Sequence, residues 1–583
     1  MEYELFKKIS KVTLGEEKAD LVLKNAKIVD VFTEEIHRAD LAVCSGIIAG
    51  IGSFYEGKQE IDLAGKYVLP GLIDAHLHLE STMVTPNELV TAAAHCGTTT
   101  FIVDPHEAAN VSGTAGIDYI LDQTEDSPAN VYVMLPSCVP ATSFDDNGCT
   151  LSAAKMKPYL HNPRILGLGE VMDAPGVIHG DKKMHEKLEL FEGRVRDGHA
   201  PYLPGAELSA YALSGIRTDH EATSYEYALE EVRRGMHVHI REGSAAHNLE
   251  AIVRGIVKNG TPTENFSFCT DDKHIEDILR EGHISYNVRR AAELGLPILK
   301  AIKMATINTA RCYGLQHLGA LAPGYQADML VTDDLKTLRV LRVFHKGKEL
   351  DPKEKPEIKA CPPVLKQTVH LEPVTEELFR LPVRGQSVHL IGIDASQITT
   401  KHEIKKLRNT ENYCPSNGLN KIAAVERHKG TGKAGVAICA HYGIENGAIA
   451  SSVSHDSHNI IVIGDNDRDM ALAVNAIIKE QGGYSLVQDG KVFDTLPLPV
   501  MGLVSDAGFE EVNKKLRRMI KKAHSMGVPD EVEPFITLSF LALPVIPEIR
   551  ITPRGLLDTV NMKLISDKRD SQKEAEKDNK EKQ

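Results

Sequence analysis

The sequence predicts an α/β protein built around a (β/α)8 barrel. Residues 67–317 alternate apolar strand-like runs with helix-like stretches eight times, over the ~250 residues typical of such a barrel. Short β-like runs lie on both sides of this segment. They predict a small β-sandwich domain built from both sides of the barrel segment. Beyond a charged, proline-rich linker, mixed strand and helix patterns predict a C-terminal α+β domain.

The eight barrel strands are predicted from short apolar runs that precede polar turns. They are YVLPGLIDAHLH, TTTFIVDPHE, NVYVMLPS, RILGLGEV, the run that ends in GHAPYL, ALSGIRTDHE, HVHIREGS and FSFCTDDKH. Intervening stretches such as TPNELVTAAAHC and SYEYALEEVRRG have helical spacing. The fifth strand has the least apolar pattern of the eight, since RVRDGHA has no apolar run.

The same patterns predict the domain boundaries. The small β domain takes residues 1–66 and 318–352, and the barrel takes 67–317. The α+β domain takes 366–565, with strands such as GVAICAHYG and a helix at DRDMALAVNAIIKEQ. Residues 566–583 have almost no apolar side chains, which predicts a disordered tail.

Composition excludes several classes of protein. The net charge of −14 over 583 residues argues against a nucleic-acid partner, because polyanions attract basic surfaces. No apolar run reaches the ~18 residues of a membrane span, and the N-terminus has no apolar signal core. The nine cysteines form no CxxC pair. We therefore expect a cytoplasmic protein with no membrane partner, no disulfide framework and no zinc ribbon.

Histidines at the end of the first barrel strand indicate a metal site. His76 and His78 follow the apolar run LPGLID. Residues two apart on a strand point to the same side, so both imidazoles can bind one ion. Histidine is a favoured ligand of transition metals, and the chain has 25 of them.

Other strand ends supply further candidate metal ligands: Glu170, His199, His220 and Asp271. The active site of a (β/α)8 barrel forms where the C-terminal ends of the strands meet, so we expect all six side chains to converge. Four imidazoles and two carboxylates are enough donors for two divalent ions, with one carboxylate bridging. The HExxH, GxSxG and GxxxxGK[ST] motifs are absent, which argues against other hydrolase and nucleotide-binding chemistries.

PGLIDAHLH, the strand-end histidines, the TDD aspartate and the later GALAPGYQADMLV resemble the amidohydrolase superfamily. ILGLGEVMD, DGHAP, TDHEA, IREGS and CTDDKH together resemble its bacterial-type adenine deaminase family. The stretch from VERHKGTGKAGVAICAHYG to SHDSHNIIVIG resembles that family's additional C-terminal domain, so the likeness covers nearly the whole chain.

The resemblance implies hydrolysis of adenine, a small-molecule purine base, to hypoxanthine and ammonia. It implies that Glu170 bridges the ions where related ring-amide hydrolases use a carbamylated lysine. Glu170 is also a candidate neighbour of ring N1 of the purine. Asp271 is the candidate base that carries a proton from the attacking water to the leaving amine. The division of proton transfer between these two carboxylates stays open. The expected cofactors are two divalent ions, Mn²⁺ or Fe²⁺, with Zn²⁺ as an alternative.

Five further polar residues at strand ends are predicted to bind the purine edge or to support the metal ligands: Asp104, His106, Glu107, Arg241 and Glu242. We expect a homo-oligomer. Two other functions stay open at this point. One is another binuclear amidohydrolase, such as an N-acetyl-sugar deacetylase, and the other is a catalytically silent scaffold of the same fold.

Overall fold

The structure is a computed structural model that describes residues 1–583 except 245, 354, 385–386, 395–397, 417 and 566–583. The predicted C-terminal tail lies outside the described residues. The chain forms two compact units. Unit 1 comprises Met1–Pro105, Asp118–Ser137 and Ser152–Lys359, and unit 2 comprises His106–Ile117, Cys138–Leu151 and the chain from Ala360 onward.

The strands of unit 1 are, in chain order, β1 (Ala19–Asp30), β2 (Glu35–Cys44), β3 (Ile47–Gly52), β4 (Gly57–Asp62), β5 (Tyr67–Pro70), β6 (Leu72–Leu77), β7 (Thr98–Val103), β8 (Asn130–Leu135), β9 (Ile165–Val171), β10 (Val195–Gly198), β11 (Thr218–Asp219), β12 (His237–Arg241), β13 (Phe266–Cys269), β14 (Met329–Thr332), β15 (Val340–His345) and β16 (Lys348–Glu349). Unit 2 contributes β17 (Val388–Ile393), β18 (Thr400–Lys405), β19 (Leu419–Val425), β20 (Ala434–Ala440), β21 (Gly447–Ser451), β22 (Ile460–Gly464), β23 (Gly483–Gln488), β24 (Lys491–Pro497), β25 (Ile549–Thr552), β26 (Gly555–Asp558) and β27 (Lys563–Leu564).

The α-helices are α1 (Tyr3–Thr13), α2 (Pro86–His95), α3 (His106–Ser112), α4 (Thr114–Gln123), α5 (Ala153–Met156), α6 (Ala174–His179), α7 (Lys182–Leu190), α8 (Gly205–Leu213), α9 (Tyr225–Arg233), α10 (Leu249–Asn259), α11 (Ile275–Glu281), α12 (Ile284–Glu293), α13 (Ile298–Lys303), α14 (Thr309–Cys312), α15 (Asp467–Glu480), α16 (Phe509–Ser525) and α17 (Pro534–Phe540). Within the described residues, no helix is both long and apolar enough to cross a membrane.

Strands β6 to β13 form the predicted parallel barrel. They pair as one run from β10 through β9, β8 and β7 to β6, and a second run from β11 through β12 to β13. Two backbone bonds join β13 to β6: Asp271 donates to the His76 carbonyl at 3.0 Å, and His78 donates to the Asp271 carbonyl at 3.1 Å. Arg217 donates to the Arg196 carbonyl at 3.1 Å and joins the two runs at β10 and β11. The barrel is therefore closed.

The weak apolar pattern of the fifth barrel strand has a structural cause. β10 has the sequence VRDG, and its Asp197 is buried. This carboxylate accepts hydrogen bonds from Thr218 Oγ1 at 2.7 Å and from the Tyr313 hydroxyl at 3.0 Å. Burial raises the pKa of Asp197 to about 7. A polar side chain inside the barrel thus replaces the apolar residue that a strand pattern normally shows.

Both ends of the barrel segment contribute to one flanking sheet, in the order β16-β15-β14-β5-β1-β2-β3 with β4 also paired to β1. β1 changes partner along its length, since its first half pairs with β4 and its second half with β5. Apolar side chains from distant strands, such as Leu41 and Met329, share one buried cluster. The sheet therefore curves around a common core to which both ends of the barrel segment contribute.

Unit 2 is an α+β unit, as the sequence predicts. Its main sheet has the order β18-β17-β20-β19-β22-β21-β23-β24, with β17 and β20 parallel and the remaining neighbours antiparallel. Helix α15 packs its buried side chains, such as Met470 and Val474, against apolar residues of the central strands. Two segments from the barrel region of the chain, 106–117 and 138–151, belong to this unit.

Candidate metal centre

His76 and His78 lie side by side at the end of β6. Their Nε2 atoms are 3.2 Å apart, and both side chains are almost completely buried. Asp74, two residues earlier, accepts from the His76 backbone at 3.2 Å and from the Thr270 hydroxyl at 2.6 Å. Asp74 thereby fixes the end of β6 against the residue that follows β13. His78 is oriented through its Nδ1, which is 2.8 Å from the Asp104 carbonyl.

Glu170 presents one carboxylate oxygen to each of two histidine pairs. Its Oε1 lies 3.7 Å from His76 Nε2 and 3.3 Å from His78 Nε2. Its Oε2 lies 2.8 Å from His199 Nδ1 and 3.4 Å from His220 Nε2. A carboxylate in this position can bridge two cations, with two imidazoles available to each.

The local structure around Glu170 requires a glycine before it. The Glu170 backbone N–H donates to Asp104 Oδ2 at 2.9 Å, and its carbonyl accepts from the Ser137 hydroxyl at 2.5 Å. A Cβ atom at Gly169 would be 2.2 Å from Asp104 Oδ2. Only glycine allows this close approach, so the LGLGE motif places the end of β9 against the end of β7.

His199 and His220 follow β10 and β11, and buried polar groups hold both strand ends. The His199 backbone donates to the Tyr211 hydroxyl at 3.0 Å. Asp219 accepts from Ala200 through Oδ1 at 2.7 Å and from Glu221 through Oδ2 at 2.7 Å. One carboxylate therefore connects the two loops that carry these histidines, which limits their movement.

Asp271 completes the cluster on the side of His76 and His78. Its Oδ1 is 3.1 Å from His78 Nε2, and its Oδ2 accepts from Arg241 Nη1 at 2.9 Å. The backbone φ of Asp271 is 58°, in the left-handed region that non-glycine residues rarely adopt. Its two backbone hydrogen bonds to β6 hold this conformation. Backbone strain of this kind is concentrated at functional sites.

The cluster also contains two charged residues that were not predicted as metal ligands, Glu221 and Arg241. Glu221 Oε1 lies 3.5 Å from His220 Nε2 and 3.8 Å from His199 Nδ1. The Arg241 guanidinium donates to both carboxylate oxygens of Glu221 as well as to Asp271. Arg241 was predicted only as a polar group of the barrel mouth, beside Glu242, and Glu221 was not predicted although it directly follows the predicted ligand His220 in TDHEA.

The electrostatics of the cluster favour a bound cation. Burial and the nearby His220 lower the pKa of His76 well below its usual value, which keeps that imidazole neutral and able to bind a metal. Burial lowers the pKa of His220, but Glu170, Asp271 and Glu221 raise it to about 9. The carboxylates thus attract positive charge into a buried site. The donors, all imidazole nitrogen and carboxylate oxygen, fit divalent transition metals.

Asp271 remains ionised in this environment. Burial by itself raises the pKa of Asp271, but the Arg241 guanidinium and the neighbouring His78 hold it well below its usual value. An ionised carboxylate next to the histidine pair is able to bind a cation or to accept a proton.

The other four predicted residues lie in different surroundings. Asp104 supports the Glu170 backbone, as described above. Glu242 Oε2 accepts from the Leu249 backbone at 3.2 Å, at the start of α10. His106 and Glu107 are the first residues of α3, which belongs to unit 2. The structure therefore places Asp104 beside the cluster in unit 1, and places His106 and Glu107 among buried polar residues of unit 2.

Comparisons with known proteins match both parts of the chain. Residues 67–350 match the amidohydrolase family, and residues 397–563 match the adenine deaminase C-terminal domain. An adenine deaminase from Desulfitobacterium hafniense is 56% identical over 561 residues, which are 96% of this chain and 98% of the relative. The chain belongs to the adenine deaminase family. It contains both an amidohydrolase domain and the C-terminal domain of adenine deaminases.

Other members of the adenine deaminase family are similar over their full length. The adenine deaminase of Clostridium acetobutylicum is 46% identical, covering 97% of this chain and 100% of the relative. That of Petrotoga mobilis is 44% identical, covering 95% of this chain and 98% of the relative. The likeness therefore includes the flanking sheet as well as the barrel and unit 2.

Proposed function

We propose that this chain is a metal-dependent hydrolase that converts adenine and water to hypoxanthine and ammonia, a reaction of purine salvage. The observation that carries the proposal is the Glu170 carboxylate, whose two oxygens face two buried histidine pairs. Membership of the adenine deaminase family supports the substrate. A glutamate at this position is also compatible with an N-acetyl-sugar deacetylase, which is the second candidate.

The residues that would hold two divalent ions are His76, His78, Glu170, His199, His220 and Asp271. Because the donors are nitrogen and oxygen with no thiolate, Mn²⁺ or Fe²⁺ is the proposed pair and Zn²⁺ is the alternative. When bound, such ions activate water as a nucleophile near neutral pH. The protein residues must then supply orientation and proton transfer, because adenine C6 belongs to an aromatic ring and is a poor electrophile.

Asp271 is the proposed proton carrier. Its carboxylate takes a proton from the attacking water and delivers it to the departing amine, so the proton lost by water leaves in ammonia. Arg241 binds Asp271 Oδ2 at 2.9 Å and directs Oδ1 toward His78. The same guanidinium holds Glu221, so two buried carboxylates are kept in fixed positions around the reacting centre.

Contacts with the purine edge remain the proposed role of Asp104, His106, Glu107 and Glu242. Their carboxylates and imidazole offer both donors and acceptors, which a purine edge requires. Asp104 and Glu242 each use one oxygen on a backbone N–H, which fixes their orientation. The homo-oligomer and the cytoplasmic location stay predictions, to be checked by sizing of the purified protein and by cell fractionation.

The test is ammonia release by the purified chain reconstituted separately with Mn²⁺, Fe²⁺ or Zn²⁺. We expect turnover of adenine and none of adenosine, guanine or cytosine. Comparable rates on adenine and adenosine would contradict the free-base specificity. Acetate release from N-acetyl-sugar substrates, without ammonia release from adenine, would replace the deaminase with a deacetylase. Absence of turnover in metal-loaded protein would favour a silent scaffold.

A further inference from the structure

A second group of metal-ligating side chains lies within unit 2. His106 begins α3, Cys138 follows β8 in the chain, and Asp456 lies in the loop between β21 and β22. All three are nearly inaccessible to solvent, at 2%, 1% and 2% exposed. One ligand atom from each lies within 4.8 Å of the others. Segments that are far apart in the sequence thus bring an imidazole, a thiol and a carboxylate together.

We propose that His106, Cys138 and Asp456 bind one further transition-metal ion, of the Zn²⁺ class, in unit 2. The combination of one nitrogen, one sulfur and one oxygen donor suits Zn²⁺, which accepts all three and is normally four-coordinate. The fourth position would be taken by water. The ion differs from the proposed pair in unit 1 by its thiolate ligand.

The ligand spacing supports this proposal. Asp456 Oδ1 is 3.7 Å from His106 Nε2. In a tetrahedral site with bonds of about 2.0–2.1 Å to nitrogen and oxygen, ligand atoms lie roughly 3.3 Å apart. The metal-ligand candidates of unit 1 have similar separations, such as 3.7 Å between His76 Nε2 and Glu170 Oε1. A small inward movement of the side chains is enough to bind an ion.

Asp456 is a buried carboxylate whose ion-pair partners among the described residues are histidines rather than a lysine or arginine. Its Oδ2 has no hydrogen-bond partner in the described part of the chain. Its ion-pair partners there are His106, with Nε2 at 3.7 Å, and His455, with Nδ1 at 3.8 Å. None of the described lysines and arginines forms an ion pair with it. An ionised carboxylate in such a position is costly unless it is paired or coordinates a metal. A divalent ion would provide that compensation.

The loop that carries Asp456 is rigidly held. The fully buried Arg427 donates to the His458 carbonyl, and its backbone N–H donates to Asn459 Oδ1 at 3.1 Å. Asn459 in turn donates to the Asp146 carbonyl at 3.0 Å, on the segment that begins with Cys138. These bonds connect the two loops of the proposed site, so the ligands are positioned before an ion binds.

A second layer of polar residues surrounds the proposed ligands. His455 Nδ1 is 3.1 Å from Glu107 Oε1 and 3.8 Å from Asp456 Oδ1. An imidazole between two carboxylates orients the ligating one, which is a common arrangement beside bound metals. His106 would coordinate through Nε2, which faces Asp456.

The thiolate gives a test that is independent of catalysis. The metal-free full-length chain is titrated with Co²⁺, which occupies Zn²⁺ sites and shows a thiolate-to-cobalt charge-transfer absorption in the near ultraviolet. We expect this absorption in the wild-type protein and its loss in Cys138→Ser. Cys439→Ser is the matched control, because Cys439 is buried in β20 and is not among the three ligands. It should retain the absorption.

Metal counting supplies a second readout. Elemental analysis of Zn²⁺-loaded wild type should give one more ion per chain than Cys138→Ser or Asp456→Asn. Absence of the charge-transfer absorption in wild type would overturn the proposal without any variant, as would its persistence in Cys138→Ser. In the first case the three residues form a thiol–imidazole–carboxylate cluster without metal. Adenine turnover is measured separately, so a silent unit 1 and an empty unit 2 are distinguishable.

Discussion

At the scale of single residues, Glu170 and Asp271 are both buried carboxylates, but their neighbours favour different roles. Glu170 faces histidines on both sides, whereas Asp271 shares Arg241 with Glu221. A carboxylate between two ion sites mainly holds cations together. One that faces a single histidine pair and is fixed by a guanidinium is better placed to move a proton.

Asp271→Asn should retain most of its metal but lose activity. The asparagine carbonyl can still contact an ion, and four histidines and Glu170 remain. The amide accepts no proton, and general acid–base catalysis contributes about 10²–10⁴-fold. We therefore expect kcat for adenine to decrease by a factor in that range. The metal content is measured on the same samples. Near wild-type turnover at full occupancy would exclude Asp271 as the proton carrier and make Asp272 the candidate.

Glu170→Gln should lose metal and activity together. A neutral amide bridges two cations poorly, and the histidine pairs on its two sides then lack a shared anion. The measurement is ions bound per chain after dialysis against a weak chelator, compared with Asp271→Asn under the same conditions. Full occupancy in Glu170→Gln would show that the ions do not need this bridge.

Sequence reasoning identified the six side chains that the structure brings together, because each ends a barrel strand. It missed Glu221 for a physical reason. In an extended strand, the residue after His220 points to the opposite side. β11 ends at Asp219, so this alternation does not continue to Glu221, and Asp219 turns the chain through its hydrogen bond to the Glu221 backbone. Such a turn depends on tertiary contacts that a sequence pattern does not show.

At the scale of elements, the ends of β7 and β9 determine where the proposed metal ligand Glu170 lies. Asp104 at the end of β7 binds the Glu170 backbone across a gap that only Gly169 leaves open. Strand β10 shows the limit of pattern-based prediction. Its buried Asp197 is satisfied by Thr218 and Tyr313, and partners so distant in sequence cannot be inferred from local polarity.

Gly169→Ala should lower metal affinity without unfolding the barrel. The added methyl group would meet Asp104 Oδ2 at 2.2 Å and push the two strand ends apart. Overpacking of this kind costs about 1–3 kcal/mol. Gly205→Ala is the control, since its methyl group would meet only the end of the Arg234 side chain at 3.2 Å. Metal titrations of both variants give the answer, and equal affinities would contradict the role assigned to Gly169.

At the scale of the whole molecule, metal removal should lower thermal stability. Bound ions stabilise the folded state by mass action, by about 4 kcal/mol when the free ion is at a thousand times its dissociation constant. Without ions, the buried carboxylates of the cluster repel one another. Calorimetry of chelated and reconstituted protein should therefore show a lower Tm for the chelated form. Identical Tm values would mean that a bound ion does not stabilise the folded protein.

The metal-dependent shift in Tm should be smaller for Glu170→Gln than for wild type, which would link the stability change to this site.

The arrangement of the whole chain could be predicted from sequence, because strand-like runs on both sides of the barrel segment predict a shared domain. The inclusion of residues 106–117 and 138–151 in unit 2 was not accessible. It depends on the long-range packing of α3, of the start of α4 and of the segment 138–151, which no local sequence pattern shows.

The flanking sheet can be completed only late in synthesis. β5 pairs with β14, and these strands are roughly 260 residues apart in the chain. At about 5–20 residues per second, a ribosome needs roughly 13–52 s to make the intervening segment. During that interval β1 to β5 have an unpaired edge, and the apolar cluster that Leu41 shares with Met329 is incomplete. The nascent chain is therefore most exposed to aggregation while the barrel is being made, and chaperone binding should concentrate on its first 70 residues.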